Sequence, residues 1–561
     1  MIKLLSHKEK KNFYLLILLY SFFSILEVLN ISLIFPIIEN FLDNQGNKSF
    51  YFTFLTNMMG EKNSLIKILL LFLSLFIFKN IYFILITYFQ NNFIFNFKSK
   101  VSSEVFNHLI NSELTQFNIK NSSSYLKNII GDTTQVAQCI GMLIVLFSDF
   151  LVLFFVFLML MMFNFKITIL VFFLLGMVLI IYFFFFKKKF KILGTERYIK
   201  EEKLYKLLNN SLGSFTEIKL FNKEKYFTQL FDANNSSYIN VLKKYDFLQA
   251  IPRAFFELFG ISIIVISIII AKLNSELDII NYLPLISIFS LCLIRLMPIF
   301  NRITISVQNI RYGKQTVDIL YNELKKHKII KRTNLIDSKF KIKEDDKINI
   351  QNLGFKINNY YLFKNINLTL SLSDKIGIYG ESGSGKSSLL KVFSGLIKPN
   401  DGGIYINDIN ILNHLDEWQK NIAFLKQDNF ILDGTIKNNI CFGENLIDEK
   451  KLEEAINKSN LENIIKKFPM GLNKEVGENG NKISGGERQR ICIARSLYFD
   501  KKILIFDEPT ASLDKENERE IINCINLINN KMIILISHNK KNFKGFDKVF
   551  KLEDEKLIIE D

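Results

Sequence analysis

Six long apolar segments in the first half of the chain constrain the fold more than any other feature of the sequence. They are Phe13–Ile38, Ser64–Phe89, Cys139–Phe163, Ile167–Phe186, Phe255–Ala271 and Ile279–Ile305. The hydrocarbon core of a bilayer is about 30 Å thick and a helix rises about 1.5 Å per residue, so each segment can cross it. We therefore predict an α-helical membrane domain with six spans. We expect its first helix to be retained, because Glu27 interrupts the run and no small-residue cleavage site follows.

Lysine clusters beside the spans indicate the topology of this domain. They lie at residues 8–11, 98–100, 187–191 and 325–326, that is, before the first span and after the second, fourth and sixth. An even number of spans returns the chain to its starting side, so all four clusters lie on the same side of the membrane. Because basic residues favour the cytoplasmic side, we expect both termini in the cytoplasm, in a multi-pass protein of the cytoplasmic (inner) membrane. The connections Gln90–Gln138 and Lys187–Ala254 have helical periodicity, which predicts that the spans extend into the cytoplasm. Breaks at Asn118–Ser124 and Asn210–Ser214 predict short helices at the tips.

The second half of the chain is polar, and this change in composition marks a second domain. Alternating strand-like and helix-like runs predict an α/β fold there. We place the membrane domain at 1–325, a polar linker at 326–346 and the α/β domain at 347–561. The net charge of +16 does not indicate a nucleic-acid partner, because the lysines are dispersed and many of them flank the spans.

Charged residues inside the spans are candidates for substrate contacts, because a charge in hydrocarbon is costly and usually faces a cavity or a partner. Arg295 and Arg302 are seven residues apart and share one face of the last span. Guanidinium groups match phosphate oxygens in a bidentate fork, so this stripe predicts an anionic substrate. Lys79 and Arg253 are further candidates, although Arg253 can instead pair with Glu257 one turn on and Lys79 can cap a neighbouring carbonyl.

A glycine-rich motif, G-E-S-G-S-G-K-S-S, begins at Gly380 and predicts a phosphate-binding loop. It fits G-x-x-x-x-G-K-[ST], follows the strand-like run Lys375–Tyr379 and precedes an apolar helix-like run. In such a loop the backbone N–H groups turn onto a phosphate, Lys386 reaches the outer phosphates and the Ser387 hydroxyl can hold Mg²⁺. The predicted nucleotide-binding residues here are Gly380, Glu381, Ser382, Gly383, Ser384, Gly385, Lys386, Ser387 and Ser388.

Two further strand-like runs carry polar residues where they end. The run from Ile503 ends in Asp507 and Glu508, which suits a metal-holding carboxylate followed by a general base beside the γ-phosphate. The run Met532–Ser537 ends before His538. We therefore expect Glu508 to serve catalysis and Asp507 to bind the metal, whereas a lone histidine such as His538 is usually structural.

Together with the segment Ile483-Ser-Gly-Gly-Glu-Arg-Gln-Arg490, this ordered set of motifs resembles the nucleotide-binding domain of ABC (ATP-binding cassette) transporters, joined to an exporter-type membrane domain. The resemblance covers essentially the whole chain and implies ATP and Mg²⁺ as cofactors. It implies that Gln427 binds near the Mg²⁺ ion and that His538, as the switch histidine, serves catalysis with Glu508. It also assigns nucleotide contacts to Asp514 in the D-loop, Ser512-Leu-Asp514, and to a signature that meets the γ-phosphate from the partner subunit, formed by Ser484, Gly485, Gly486 and Glu487. The resemblance therefore implies a homodimer with two ATP sites.

The sequence departs from the pattern of this family at two positions. The signature has Glu487 where Gln is commoner, which we do not take as inactivating. The adenine-stacking aromatic would align near Ile357, so the resemblance leaves this role to Tyr360 or Tyr361.

The membrane half is also similar to the PglK-type flippases of lipid-linked oligosaccharides, which serve protein N-glycosylation. The matching stretches are Ile251–Arg253 with Glu257 and Gly260, and Arg295–Pro298 with Asn301 and Arg302. The resemblance implies that basic cavity residues associate with the pyrophosphate, and Lys79 lies at a basic position of that family. The aromatic stretch Phe50–Met59 lies where that family has an external helix associated with the polyprenyl tail.

Our leading hypothesis is ATP-driven flipping of a polyprenyl-pyrophosphate-linked oligosaccharide across the lipid bilayer. An exporter of another lipid, a peptide or a drug is the runner-up. A soluble ABC ATPase acting on nucleic acid would require the apolar runs to form a core, and their length argues against it. An ATP-gated channel or regulator is a further alternative.

Overall fold

The computed structural model describes residues 2–34, 37, 64–117, 121–163, 165–273, 279–326, 341–511 and 513–560. The chain forms two compact units. The first comprises Met1–Ser112 and Phe117–Ile329, and the second comprises Glu113–Gln116 and Ile330–Asp561. The predicted external stretch Phe50–Met59 and residues 327–340 of the predicted linker lie outside the described residues.

Six long helices form the described part of the first unit. They are α1 His7–Ser32, α2 Ser64–Ile110, α3 Thr133–Phe163, α4 Phe165–Gly213, α5 Glu224–Leu273 and α6 Ile279–Lys326. By length and composition, six helices of the described chain could cross a membrane, which confirms the predicted number of spans. Helices α2, α4, α5 and α6 continue well beyond the predicted apolar segments. Short helical pieces lie at Leu114–Phe117, Ser122–Leu126 and Phe215–Leu220, and a π-helical turn lies at Lys127–Asp132.

The helices pack on one another through buried apolar side chains, such as Val156 and Leu160 of α3 and Leu296 of α6. Large apolar side chains on other faces of α2 and α4, such as Phe78 and Phe184, remain exposed. Such extensive apolar exposure is expected of a surface that contacts lipid.

Two glycines allow α6 to approach its neighbours closely. A Cβ atom at Gly194 of α4 would lie 2.2 Å from the backbone oxygen of Tyr312 in α6. A Cβ atom at Gly313 of α6 would lie 2.3 Å from Sγ of Cys139 in α3. Both distances are shorter than any van der Waals contact, so the packing of α6 requires glycine, which has no Cβ atom, at these two positions.

The second unit contains two sheets, as the α/β prediction requires. The first has the strand order β2-β1-β4-β5 with antiparallel neighbours, and the second has the order β10-β9-β3-β8-β7-β6. The strands are β1 Lys347–Ile357, β2 Tyr360–Ser371, β3 Lys375–Gly380, β4 Asp401–Ile406, β5 Ile409–Asn410, β6 Ile422–Leu425, β7 Ile503–Asp507, β8 Met532–Ile536, β9 Lys548–Glu553 and β10 Lys556–Glu560.

The helices described in this unit are α7 Lys386–Phe393, α8 Leu415–Lys420, α9 Ile436–Ile440, α10 Glu449–Lys458, α11 Glu462–Lys466, α12 Gly485–Tyr498 and α13 Lys515–Asn526. Strands β3, β8 and β7 are parallel neighbours. Every residue of β7 and β8 is buried. Because the carboxyl ends of parallel strands meet at one edge of a sheet, residues that follow these three strands converge there.

Trp418, the only tryptophan in the sequence, is fully buried and packs against the carboxyl end of α7. Its indole Nε1 donates a hydrogen bond of 2.9 Å to the backbone oxygen of Phe393, the last residue of α7. Its ring meets the Phe393 ring edge to face, with the centroids 5.5 Å apart. The carboxyl end of α7 is therefore fixed to α8.

Candidate functional site

The loop between β3 and α7, which we call the phosphate loop (Gly380–Ser388), needs glycine for its conformation. Gly383 has φ +84° and Gly385 has φ +99°, both in the region that side chains disfavour. A Cβ atom at Gly385 would also lie 3.1 Å from Cβ of Leu362 in β2. The buried Oγ of Ser384 has no hydrogen-bond partner among the described residues. Such a loop fits a phosphate group, since its backbone turns inward and it keeps an unused polar atom.

Lys386 begins α7 and lies buried beneath this loop. Its Nζ donates hydrogen bonds to the backbone oxygens of Gly380 at 3.0 Å and of Glu381 at 2.7 Å. Burial lowers the pKa of Lys386, while the nearby carboxylates of Glu508 and Asp507 raise it. The ammonium group thus lies at the base of the loop, held by carbonyls of the loop itself.

Ser387 and Asp507 form a pair of oxygen ligands at the same edge of the sheet. The Ser387 Oγ donates a hydrogen bond of 3.0 Å to Oδ1 of Asp507, the last residue of β7. Burial raises the pKa of Asp507, and the bond from Ser387 opposes this shift. Hydroxyl and carboxylate oxygens are ligands that Mg²⁺ prefers, so the pair fits this ion.

Glu508 lies between two of the other predicted site residues. Its Oε1 is 2.8 Å from Nε2 of His538, and its Oε2 accepts a hydrogen bond of 3.3 Å from Nε2 of Gln427. Its backbone has φ +50°, an unusual value for a residue other than glycine. Such local strain persists only where the surroundings impose it, and here it directs the carboxylate between Gln427 and His538.

The signature residues form the beginning of α12. Ser484 is the N-cap, its Oγ accepts from the backbone N–H of Glu487 at 3.3 Å, and its own N–H donates to Oε2 of Glu487 at 2.8 Å. This reciprocal capping box gives Glu487, the unusual signature residue, a structural role. A Cβ atom at Gly486 would lie 3.4 Å from Oδ1 of Asn517. No hydrogen bond or ion pair between described residues joins the signature to the phosphate loop.

Asp514 of the predicted D-loop is the N-cap of α13. It accepts hydrogen bonds from the backbone nitrogen of Asn517 at 3.4 Å and from Nδ2 of Asn517 at 2.6 Å. These bonds hold the pKa of Asp514 below its usual value. The D-loop therefore lies beside the signature, since Asn517 also approaches Gly486. Ser512, the first residue of the D-loop, lies outside the described residues.

The two tyrosines proposed for base stacking have different surroundings. They follow a hairpin turn in which Asn358 and Asn359 both have positive φ. The hydroxyl of Tyr361 donates a hydrogen bond of 2.8 Å to Oδ2 of Asp401, whereas Tyr360 is 81% exposed. The hydrogen bond to Asp401 holds the ring of Tyr361 at the edge of the sheet, whereas the exposed ring of Tyr360 is open to a base. These surroundings favour Tyr360 over Tyr361.

A cavity of about 650 Å³ lies within the first unit. Its lining comes from α1, α2, α3 and α6 and includes Lys79, Arg295 and Arg302. The structure thus brings together three of the four basic residues proposed for substrate binding. Arg253 is not among the lining residues, and its Nε lies 2.8 Å from Oε1 of Glu257 on an exposed part of α5.

Two carboxylates hold the basic residues of this cavity. Glu27 of α1 binds Nζ of Lys79 through Oε2 and Nη1 of Arg295 through Oε1, each at 2.6 Å. Asp149 of α3 binds Arg302, with Oδ1 2.7 Å from Nη2 and Oδ2 3.1 Å from Nε. The sequence analysis noted Glu27 as an interruption of the first apolar run, but it paired neither acid with these bases. In the sequence, the only indication that these two acids have a specific role is their position inside apolar segments.

A helical domain with six potential spans, joined to an α/β domain with a phosphate loop, defines a multi-pass membrane protein with a nucleotide-binding domain. The family model of the ABC transporter transmembrane region matches residues 13–297, and that of the ABC transporter matches residues 363–511. The chain belongs to the ABC transporter family. Its organisation, with one region of each kind, is that of an exporter-type half-transporter, as predicted.

Curated relatives of the chain include flippases. An ATP-dependent lipid A-core flippase of Neisseria meningitidis serogroup B is 27% identical over 61% of this chain and 55% of its own length, so the chain spans about half of that relative. The ATP-dependent lipid A-core flippase 2 of Colwellia psychrerythraea is 25% identical over 82% of this chain and 79% of its own length. The ABC transporter ATM1 of Plasmodium falciparum is 38% identical over 34% of this chain and 18% of its own length.

Proposed function

We propose that this protein is an ATP-driven flippase for a polyprenyl-pyrophosphate-linked oligosaccharide, which it moves from the cytoplasmic to the outer leaflet for protein glycosylation. The observation that carries the proposal is the cavity of the first unit, whose lining combines Lys79, Arg295 and Arg302 with apolar side chains such as those of α3 and α6. Basic groups among apolar side chains suit a lipid that has an anionic headgroup. The α/β domain lies in the cytoplasm, where ATP is available.

The residues around the phosphate loop have different roles in ATP hydrolysis. ATP bound with Mg²⁺ supplies the phosphoanhydride bond whose hydrolysis drives transport. Ser387, Asp507 and Gln427 would hold the metal ion, which would neutralise phosphate charge together with Lys386. Glu508 accepts a proton from the attacking water at its carboxylate, and His538 fixes the orientation of that carboxylate through the contact at Oε1.

The proposal includes a homodimer. Ser484, Gly485, Gly486 and Glu487 begin α12, where a helix N-terminus favours a negative charge. They have no described contact with the phosphate loop of their own chain. In the dimer, each signature completes the ATP site of the partner subunit, so two ATP sites form.

A lipid of the lipid A-core type is a second candidate cargo. The observation that favours it is the similarity to relatives in Neisseria and Colwellia, which are named lipid A-core flippases. A peptide or an uncharged drug fits the cavity less well, because the three cations of the lining outnumber its two carboxylates, Glu27 and Asp149, and such a cargo brings no negative charge to balance them.

The stimulation of ATP hydrolysis by lipid tests the cargo. We expect polyprenyl-pyrophosphate oligosaccharide to raise the ATPase rate of the protein in proteoliposomes more than lipid A-core or ordinary phospholipid does, and to be translocated with ATP. A larger response to lipid A-core would select the second candidate. Equal responses to all three lipids would contradict both.

A further inference from the structure

The loop that carries His538 has little regular structure of its own. It follows strand β8 and leads into a 3₁₀ turn at Lys540–Phe543. The side chain of His538 is 52% exposed. A half-exposed side chain has few neighbours to hold it, so the direction of this imidazole toward Glu508 depends on how firmly the backbone of the loop is fixed.

Asn542 holds this loop from inside the domain. Its side chain is buried, and its Nδ2 donates a hydrogen bond of 2.9 Å to Oγ of Ser537. The same Oγ accepts a hydrogen bond of 3.2 Å from the backbone nitrogen of Asn539. Ser537 and Asn539 are the two neighbours of His538 in the sequence. A single hydroxyl group, itself held by Asn542, therefore fixes the backbone on both sides of the histidine.

Asn542 also contacts helix α13. Its Nδ2 donates a second hydrogen bond, of 2.8 Å, to Oε1 of Glu518. Glu518 lies one turn after Asp514 of the D-loop, and its backbone nitrogen donates to the backbone oxygen of Asp514 at 2.9 Å. An amide nitrogen has two protons, and these two acceptors use both. Asn542 thus joins the loop of His538 to the helix that begins at the D-loop.

The next residue along the chain, Phe543, fixes the 3₁₀ turn to strand β3. Phe543 is buried, and a Cβ atom at Gly377 of β3 would lie 2.4 Å from its Cδ1. The phenyl ring therefore packs directly on the backbone of the strand that ends at the phosphate loop. Because Asn542 precedes this anchored residue, its amide has a fixed origin from which to hold the loop.

We propose that Asn542 is a positioning residue for ATP hydrolysis, whose amide fastens the loop of His538 to Glu518 and so keeps the imidazole directed at Glu508. Among the described residues, no hydrogen bond or ion pair joins the Asn542 side chain to the phosphate loop, to Glu508 or to the imidazole. Asn542 therefore acts through Ser537 and Glu518. This inference rests on the roles proposed for Glu508 and His538, and it is independent of which lipid is transported.

Replacement of Asn542 by aspartate in the full-length protein tests the inference. The side chain keeps its size but can no longer donate, and it places a second carboxylate beside Glu518. We expect kcat for ATP hydrolysis to fall by about tenfold, because a small displacement of a group at the reacting atoms has an effect of this size. The KM for ATP should stay within about twofold of wild type, since Asn542 does not contact the phosphate loop.

Exchange of the amide and the carboxylate should rescue this variant. In Asn542→Asp/Glu518→Gln the glutamine amide donates to the new carboxylate, so the same hydrogen bond forms in the opposite direction. The Ser537 hydroxyl can rotate and donate to that carboxylate as well. We expect the double variant to recover kcat to within about threefold of wild type.

Two further variants break or keep the bond from its less buried end. Glu518→Ala removes the acceptor and should lower kcat by about fivefold, and it tests the inference even if Asn542→Asp does not fold. Glu518→Gln keeps an acceptor and should retain kcat within about twofold. Asn523→Asp is the matched control, because it adds the same charge at an exposed position of α13. It should leave both kcat and KM unchanged.

Two results would overturn the inference. One is a wild-type kcat in Asn542→Asp or in Glu518→Ala. The other is an equal loss of kcat in Asn542→Asp and in the double variant, which a general structural defect predicts. His538→Ala separates this inference from the proposed function. If His538→Ala has a wild-type kcat, the role proposed for His538 fails and the inference fails with it. If His538→Ala lowers kcat and Asn542→Asp does not, only the inference fails.

Discussion

Oε1 of Glu508 lies 2.8 Å from Nε2 of His538, although the two residues are thirty positions apart in the sequence. The contact follows from the sheet. Strands β7 and β8 are parallel neighbours with Asp507 opposite Ile536, so the residues that follow these strands meet at one edge. Gln427 approaches the other oxygen of the same carboxylate. The three side chains form one hydrogen-bonded group beside the phosphate loop.

Replacement of Glu508 by glutamine should stop ATP hydrolysis without preventing ATP binding. Glutamine keeps the size of the side chain but cannot accept the proton from water. We expect the release of phosphate to fall by at least about 100-fold. Nucleotide should remain bound after the protein is separated from free ATP. Glu449→Gln, which alters an exposed acid paired with Lys437, is the control. Turnover close to the wild-type rate in Glu508→Gln would show that another group is the base.

Replacement of Glu487 tests the capping box of α12. Glu487→Ala removes the partner of the Ser484 backbone N–H and should lower the free energy of unfolding by about 0.3–1.5 kcal/mol. Glu487→Gln keeps an acceptor at this position and should cost less. Scanning calorimetry of the three proteins should therefore rank the unfolding temperatures as wild type, Gln, then Ala. Equal temperatures for wild type and Glu487→Ala would mean that the capping box does not stabilise the helix.

Replacement of Gly194 by alanine should destabilise the membrane domain. The new Cβ atom would lie 2.2 Å from the backbone oxygen of Tyr312, and a backbone cannot move aside as a flexible side chain does. Forced overpacking of this kind costs about 1–3 kcal/mol. Gly176→Ala, in the same helix, is the matched control, because nothing lies within 4 Å of its Cβ position. Thermal unfolding in detergent should be earlier for Gly194→Ala and unchanged or later for Gly176→Ala. The same shift in both would contradict a local clash.

Replacement of the two tyrosines of β2 should affect ATP differently. Tyr360 is exposed and its ring is open to a base, so Tyr360→Ala should raise the KM for ATP by about fivefold or more. Tyr360→Phe keeps the ring and should restore the wild-type KM. Tyr361 is held by Asp401, so Tyr361→Ala should change the KM by less than about twofold. A larger effect at Tyr361 would reverse the assignment.

Much of the architecture could be predicted from local sequence patterns. Apolar length alone predicts six spans, because the hydrocarbon thickness fixes how many residues cross it. The polar residues at the ends of β3 and β7 predict the edge of the sheet where Lys386 and Asp507 lie. Buried apolar strands of this kind are usually parallel, and the carboxyl ends of parallel strands lie at the same edge. Such predictions need only the residues that are close to each motif in the sequence.

The ion pairs of the membrane domain could not be predicted in the same way. Glu27 and Lys79 are 52 positions apart, and Glu27 and Arg295 are 268 positions apart. Whether they meet depends on the rotation of each helix about its axis, which is set by tertiary packing and not by hydropathy. Arg253 illustrates the same limit. Its charge made it a candidate, but its partner is Glu257 one turn away and it does not line the cavity.

The single tryptophan makes the α/β domain optically distinct from the rest of this protein. Trp418 is buried and donates a hydrogen bond to the last residue of the helix that begins at Lys386. Its fluorescence therefore arises from one known place, behind the nucleotide-binding helix, while the many phenylalanines of the spans contribute almost nothing at that wavelength. In the intact protein, in detergent or in lipid, changes in indole emission can follow nucleotide loading or unfolding of this domain without an attached label.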